Sequence, residues 1–362
     1  MGFARAGFVN PRALVSPAGW LPSTSADKEL EWKWVTSPNE WKGSASILVC
    51  CLSCHRGELD DLSTPDDPHG LIAPFARRNY YKTAARMMRR LLDRVEAELG
   101  IPRKSARIFC NSRMPEKPLC VAAELASPGR NGLCISPGLG SLFVIAGAVI
   151  PRPLADSVAP APSGQSPCAG CRECVDACPA HAITSAGLVD RDLCLQGFAT
   201  RPVEMPAEVM EKWGTRLYGC QECQSVCPYN RRLPVEGPPA SGEIGPSVSL
   251  RWFLSLEDQQ VETFLRGTAM GLSWISRVAL TRNAIVAAGN SGAAVLRDRV
   301  APYLDSGSPA ISAAARWAMN RLPDPRAHQA ADVLAPASGK ERKDHEDRQE
   351  DEQQQIPDDG QP

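Results

Sequence analysis

The sequence predicts an α+β protein built in three parts, and three observations carry that reading. The first 150 residues mix short apolar, β-rich runs with one amphipathic helix. A segment from residue 168 to about residue 235 is dense in cysteine. The stretch 245–325 is rich in Ala, Leu and Arg with helical spacing. A length of 362 residues suits two or three domains.

In the front part, residues 46–54 (SILVCCLSC) form a continuous apolar run bounded by polar residues, the mark of a buried strand. Residues 81–99 carry Tyr81, Ala84, Met88, Leu91, Leu92, Val95 and Leu99 at helical spacing, and Gly100 and Pro102 end that helix. Residues 107–110 and 132–136 are short strand candidates. Residues 139–150 (LGSLFVIAGAVI) are too short to span a bilayer and read as buried strand or core helix. The connector 151–167, PRPLADSVAPAPSGQSP, marks a domain boundary.

Beyond the cysteines, residues 278–288, 294–304 and 310–322 read as three helices separated by GNSG and DSGSP, a pattern that suggests a small HEAT-like unit. The tail, residues 335–362, has too little apolar surface to order itself and is expected to be disordered.

Charge excludes little but narrows the options. With 40 basic and 41 acidic residues the net charge is −1, so any nucleic-acid contact must come from a local patch. Residues 245–325 hold eight arginines against six acids, a local +2. A stripe of Arg86, Arg89, Arg90 and Arg94 lies on the front helix; it reads as a phosphate-binding row or as a solvated face. The N-terminus has no apolar run after a basic start, so no export signal is expected and the cytoplasm is the expected location, with no membrane partner. Fourteen cysteines in such a chain point to metal rather than to a disulfide framework.

The cysteine spacing is specific. Residues 168–179, CAGCRECVDACP, carry C-x2-C-x2-C-x3-C-P, and residues 220–228, CQECQSVCP, repeat its last three cysteines. The repeat's first position falls on Leu217. In two-cluster ferredoxins three cysteines of such a run hold one 4Fe–4S cluster, and the fourth crosses to the other. Cys168, Cys171, Cys174 and Cys227 then complete the first cluster. Cys178, Cys220 and Cys223 serve the second, and Cys194 is the remaining cysteine between the two runs, hence its fourth ligand. Structural zinc is the alternative for paired C-x2-C; the two x3-C-P endings argue for iron. Cys51-Leu-Ser-Cys54-His55 matches a haem-attachment pattern, but it ends a buried β-run and reads better as core. Cys50, Cys110, Cys120 and Cys134 also read as core.

Several of these runs resemble epoxyqueuosine reductases: WGTRLYGCQECQSVCPYNRR around the second run, then IFCNS, EKPL, PGRNGLCISPGLGS and VIAGAVI further forward, and RNAIVAAGNSG and AAARWAMNRL near the end. The GRNGL stretch also resembles reductive dehalogenases. The resemblance covers roughly residues 45–325. It implies a cobalamin-dependent reductase: a nitroreductase-like α/β domain (1–150) holding the corrinoid beside the first cluster, a ferredoxin-like double-cluster domain (168–235), and the HEAT-like unit (245–325). It also implies tRNA as partner and an external low-potential electron donor. Gly129, Arg130, Asn131, Gly140 and Ser141 fall on the stretch that contacts the corrinoid in that family; by itself the stretch reads as a Gly-rich turn before a strand. The family's acidic proton donor is replaced here by Asn111, whose amide cannot act as a general acid near neutral pH. Tyr80, Tyr81 and Glu116 are substitute donors. The Asn111 replacement leaves a cobalamin-dependent reductase of a small molecule as a second reading, and a corrinoid-reactivating electron-transfer protein as a third.

Overall fold

The computed structural model describes residues 2–11, 45–55, 61–112, 114–154, 166–184, 188–233 and 244–324. Most of the proline-rich connector and the whole 335–362 tail lie outside the described residues.

The front sheet is built from β1 (Arg5–Val9), β2 (Ser46–Ser53), β4 (Arg107–Cys110) and β7 (Phe143–Ile150), in the order β1-β2-β7-β4. Every pairing in it is antiparallel. Strand β2 is apolar on both faces because both faces are covered. Leu48, Cys50 and Leu52 point to one side, where they meet Tyr80, Ala84, Met88 and Leu92 of helix α1 (Tyr80–Leu99). Ile47, Val49 and Cys51 point to the other, where they meet Leu119 and Cys120 of helix α2 (Glu116–Ala122). Helix α1 begins where the Asn79 side chain accepts from the Lys82 amide at 2.9 Å, and ends at Gly100 in the left-handed region.

The 132–136 strand shrinks to β6 (Cys134–Ile135), paired with β5 (Ser127–Pro128), because the chain turns at Gly132 with φ +73°. The predicted helix 294–304 is also corrected. It is a 3-10 turn (Ala294–Leu296), a short helix (Arg297–Val300) and a second 3-10 stretch (Ala301–Asp305). Pro302 lies inside the predicted span, and its missing N–H and ring do not suit an α-helix interior.

A second sheet joins front and back. Strand β3 (His69–Ile72) runs between β8 (Arg216–Tyr218), parallel to it, and β9 (Ser247–Ser249), antiparallel to it. It lies on a large core formed with α4 (Leu195–Thr200), α5 (Ala207–Trp213), α8 (Arg277–Ser291) and α9 (Pro309–Met319). Residues through Pro323 accordingly fall in one compact unit.

Helix α8 reaches the cysteine-rich segment through two buried polar side chains. The Arg282 guanidinium donates to the carbonyls of Phe198 (2.6 Å), Arg201 (2.8 Å) and Val203 (2.5 Å). Asn283 donates to Ala199 and Leu217 carbonyls at 3.1 and 3.2 Å. These bonds satisfy the end of α4, whose N-cap is Cys194, and brace the strand that leads into Cys220. Burial and the nearby Arg201 charge push the Arg282 guanidinium down to about 10. Arg282→Ala leaves those buried carbonyls unpaired. The expected loss is about 3 kcal/mol or more of stability, read by thermal or urea unfolding, while an equivalent change at exposed Arg299 moves it by less than about 0.5 kcal/mol.

Candidate functional site

The cysteine-rich segment forms two similar short arms. Helices α3 (Glu173–Asp176) and α6 (Glu222–Ser225) each begin two residues after a C-x2-C cysteine, and α7 (Pro228–Arg231) follows Cys227 directly. These single turns curl the chain so that successive thiols point inward.

The thiols fall into two neighbourhoods. Cys174 is pushed up to about 11, first by burial and then by Cys168, Cys171 and Cys227. Cys227 is pushed up by burial and by Cys168 and Cys171. A cavity of about 220 Å³ is lined by all four. Cys223 is pushed up to about 12 by burial, then by Cys220, Cys194, Cys174 and Cys178. Cys220 is raised by burial and feels Cys194. Cys174 thus stands where the two neighbourhoods meet. Leu217, at the missing cysteine position, is fully buried in β8. Among the described residues, no group of three or more His, Cys, Asp or Glu side chains converges tightly enough to share one metal ion. A four-iron cubane spreads its thiolates wider than a single ion does, and the described cavity suits that larger group.

Backbone amides already serve the sulfurs. The Arg130 N–H donates to Cys168 Sγ at 3.3 Å, and the Ala182 N–H to Cys178 Sγ at 3.3 Å. Such N–H···S bonds tune a cluster's potential.

The Gly-rich stretch from Gly129 to Ser141 is where the front domain meets this segment. Arg130 also donates to the Cys168 carbonyl at 3.4 Å, and Asn131 Nδ2 to the Cys223 carbonyl at 3.3 Å. Asn230 Oδ1 accepts from the Ser141 N–H at 2.7 Å, and Asn230 Nδ2 donates to Ser141 Oγ at 3.0 Å and the Gln224 carbonyl at 2.8 Å. Gly140 has φ +55°, and a Cβ there would lie 2.0 Å from Asn230 Oδ1. Gly129, closely packed on Leu133, holds the turn. The polar side chains of Asn131 and Ser141 are therefore engaged with the cysteine-rich arms. Sequence reasoning missed Asn230 and Gln224; the signal was the CQSVCPYN run itself, in which each lies three residues from Cys227.

A second constellation lies on the front domain. Glu116 opens α2 and accepts from the Ser112 N–H at 2.9 Å and Ser112 Oγ at 3.3 Å. Burial pushes its carboxyl up to about 7, against the opposing pull of the Ser112 and Asn111 amides. Asn111 is exposed, in the left-handed region at φ +50°. Tyr80 is wholly buried in the α1–sheet core, whereas its neighbour Tyr81 faces the site. Burial raises the Tyr81 hydroxyl, with Cys54, Tyr218, Cys110 and Glu116 adding to the shift. Cys110 is itself pushed up to about 12 by burial and Glu116. Tyr218 precedes Gly219 and Cys220, so this acid group borders the second thiol neighbourhood. Gly219 allows that approach: at φ +88°, a Cβ would sit 2.6 Å from Ala73 Cβ.

Two further polar atoms lie buried with no hydrogen-bond partner among the described residues: Gln221 Oε1 and Arg78 Nη1. The Ala73 N–H donates to the Tyr218 carbonyl at 3.0 Å.

An α+β scaffold with two cross-linked thiol neighbourhoods defines a double-cluster iron–sulfur protein. Residues 167–230 match the family described as 4Fe-4S double cluster binding domain. The chain is a relative of the epoxyqueuosine reductases. It is 27% identical to the epoxyqueuosine reductase of Francisella cf. novicida over 70% of this chain and 72% of that one. It is 31% identical to that of Vibrio cholerae over 48% of this chain and 46% of that one. The fold matches the crystal structure of an epoxyqueuosine reductase with an epoxyqueuosine-modified tRNA-Tyr stem loop, with a TM-score of 0.73 and 20% identity, covering 92% of this chain and 90% of that one. No helix of the described residues is long and apolar enough to cross a membrane.

Proposed function

We propose that this chain is a cobalamin-dependent iron–sulfur reductase that converts epoxyqueuosine to queuosine in tRNA, in the cytoplasm. The observation that carries the reading is the pairing of two four-thiol neighbourhoods with a protonatable group, Glu116 and Tyr81, at the border of the second. The relatives' activity and the stem loop bound to one structural neighbour support the same substrate. The front sheet with its two covering helices is read as the nitroreductase-like corrinoid domain, and α8 with α9 as a short HEAT-like unit.

Cys168, Cys171, Cys174 and Cys227 would hold the first cluster, and Cys178, Cys194, Cys220 and Cys223 the second. A corrinoid's amide side chains would find an acceptor in Gln221 Oε1, one residue from Cys220, and a donor in Arg78 Nη1. When bound, cobalamin supplies a strongly reducing metal centre. The protein's own part is to bind, orient and protonate. Gly129, Arg130, Asn131, Gly140 and Ser141 hold the cluster arms to the corrinoid domain. Glu116 carries the proton delivered to the opened epoxide oxygen, in place of the acid that Asn111 cannot be. The Asn111 amide orients the substrate oxygen, Tyr81 relays beside Glu116, and Tyr80 fixes the start of α1. Arg86, Arg89 and Arg90, exposed on α1, and the C-terminal arginines offer phosphate contacts.

The direct test is anaerobic reconstitution with iron, sulfide and cobalamin, then incubation with tRNA from a strain lacking its own reductase. Nucleoside mass spectrometry should report loss of epoxyqueuosine; unchanged tRNA with full cofactor loading defeats the proposal. Cys194→Ser should lose the second cluster, lowering iron from about eight atoms per chain (two clusters of four) towards about four. Glu116 acts in its protonated form, so turnover should fall as pH rises through about 7. Glu116→Gln should lower kcat by roughly 10²-fold or more and abolish that alkaline limb.

A further inference from the structure

Two donors converge on one oxygen of Glu116, and both belong to Ser112. The Ser112 N–H reaches Oε1 at 2.9 Å, and the Ser112 hydroxyl reaches the same atom at 3.3 Å. A third contact sets the direction of that hydroxyl bond. Ser112 Oγ accepts from the Met114 N–H at 3.1 Å, which leaves its one proton for the carboxyl. Asn111, left-handed at φ +50°, makes the turn between β4 and this stretch. Ser112 is exposed, whereas Glu116 is only partly so.

The titratable neighbours leave this pairing undisturbed. Cys110 at the end of β4 and Tyr81 at the start of α1 both feel the Glu116 charge. Burial keeps both neutral near pH 7, with the Cys110 thiol pushed up to about 12. The adjacent Lys117 turns away, its Nζ donating to the Gly132 carbonyl at 2.7 Å.

We propose that Ser112 is the positioning residue of the acid: by filling Oε1 it places the transferable proton on Oε2. The inference rests on the role given to Glu116 above. On transfer the Oε2–H bond breaks and its proton joins the opened epoxide oxygen. The bond's electron pair stays on the carboxylate, whose charge meets two Ser112 donors already in place. Solvent water later returns the proton. The hydroxyl bond also favours the carboxylate, and so opposes the upward push of burial on Glu116.

Ser112→Ala removes the hydroxyl donor and keeps the amide. Infrared difference spectra of the reconstituted protein, with Glu116→Gln identifying the band, follow the Glu116 carboxylic-acid carbonyl through pH. In Ser112→Ala the band should persist to higher pH than in the parent. Turnover should carry two matching marks: a plateau lower by on the order of tenfold, from lost orientation, and an alkaline limb moved upwards. Ser112→Thr, which keeps a hydroxyl, should restore band, plateau and limb. A purely structural role would lower the plateau but leave band and limb where they were; that result overturns the inference and leaves the enzyme proposal standing. A band that moves as expected, in proteins that leave epoxyqueuosine untouched, defeats the enzyme proposal and upholds the hold of Ser112 on Glu116.

Discussion

The fold is organised around the difficulty of bringing many thiols together. Burial drives the Cys174, Cys220, Cys223 and Cys227 thiols towards the protonated form. Iron ligation requires the opposite. Backbone amides oppose that shift, those of Tyr229 and Asn230 at Cys227 and of Glu222 at Cys220, and the larger part is left to the positive charge of the metal. The arms are consequently held from outside: by Arg282 and Asn283 of α8 behind Cys194 and Cys220, and by Asn230 against the Gly140–Ser141 turn in front. The glycine is there because no side chain fits between the two halves.

This arrangement recasts the Gly-rich stretch. Asn131 and Ser141 within it bond the Cys223 carbonyl and Asn230, tying it to the cysteine arms. The stretch acts as a hinge plate that sets how far the clusters stand from the front sheet. The protonatable group lies where α1 and α2 begin and β4 ends, at Tyr81, Glu116 and Cys110, with Tyr218 acting on Tyr81.

Local patterns were legible where one physical rule acted alone. The unbroken apolar run of β2 announced a strand buried on both faces, and the cysteine intervals announced a double-cluster segment. The helix 81–99 followed from its spacing and its terminal glycine. Reading failed where distant partners decide. Nothing local in the sequence distinguishes Tyr80, buried in the core, from Tyr81 facing Glu116; only the packing of α1 on the sheet does. Asn230 and Gln224 look like ordinary polar residues until the turn they bind is placed opposite them. The helix expected over 294–304 broke because Pro302 outweighed an otherwise favourable apolar period.

Strand β3 comes from the front half of the chain, yet it lies between β8 and β9 from the back half. The second cysteine run, between β8 and β9, is therefore a loop that leaves this sheet and returns to it. Its two ends are tied together whatever happens at the metal. Cutting the gene at the apparent border near residue 150 would strip the central strand from the rear sheet, so the electron-carrying piece is not a detachable module.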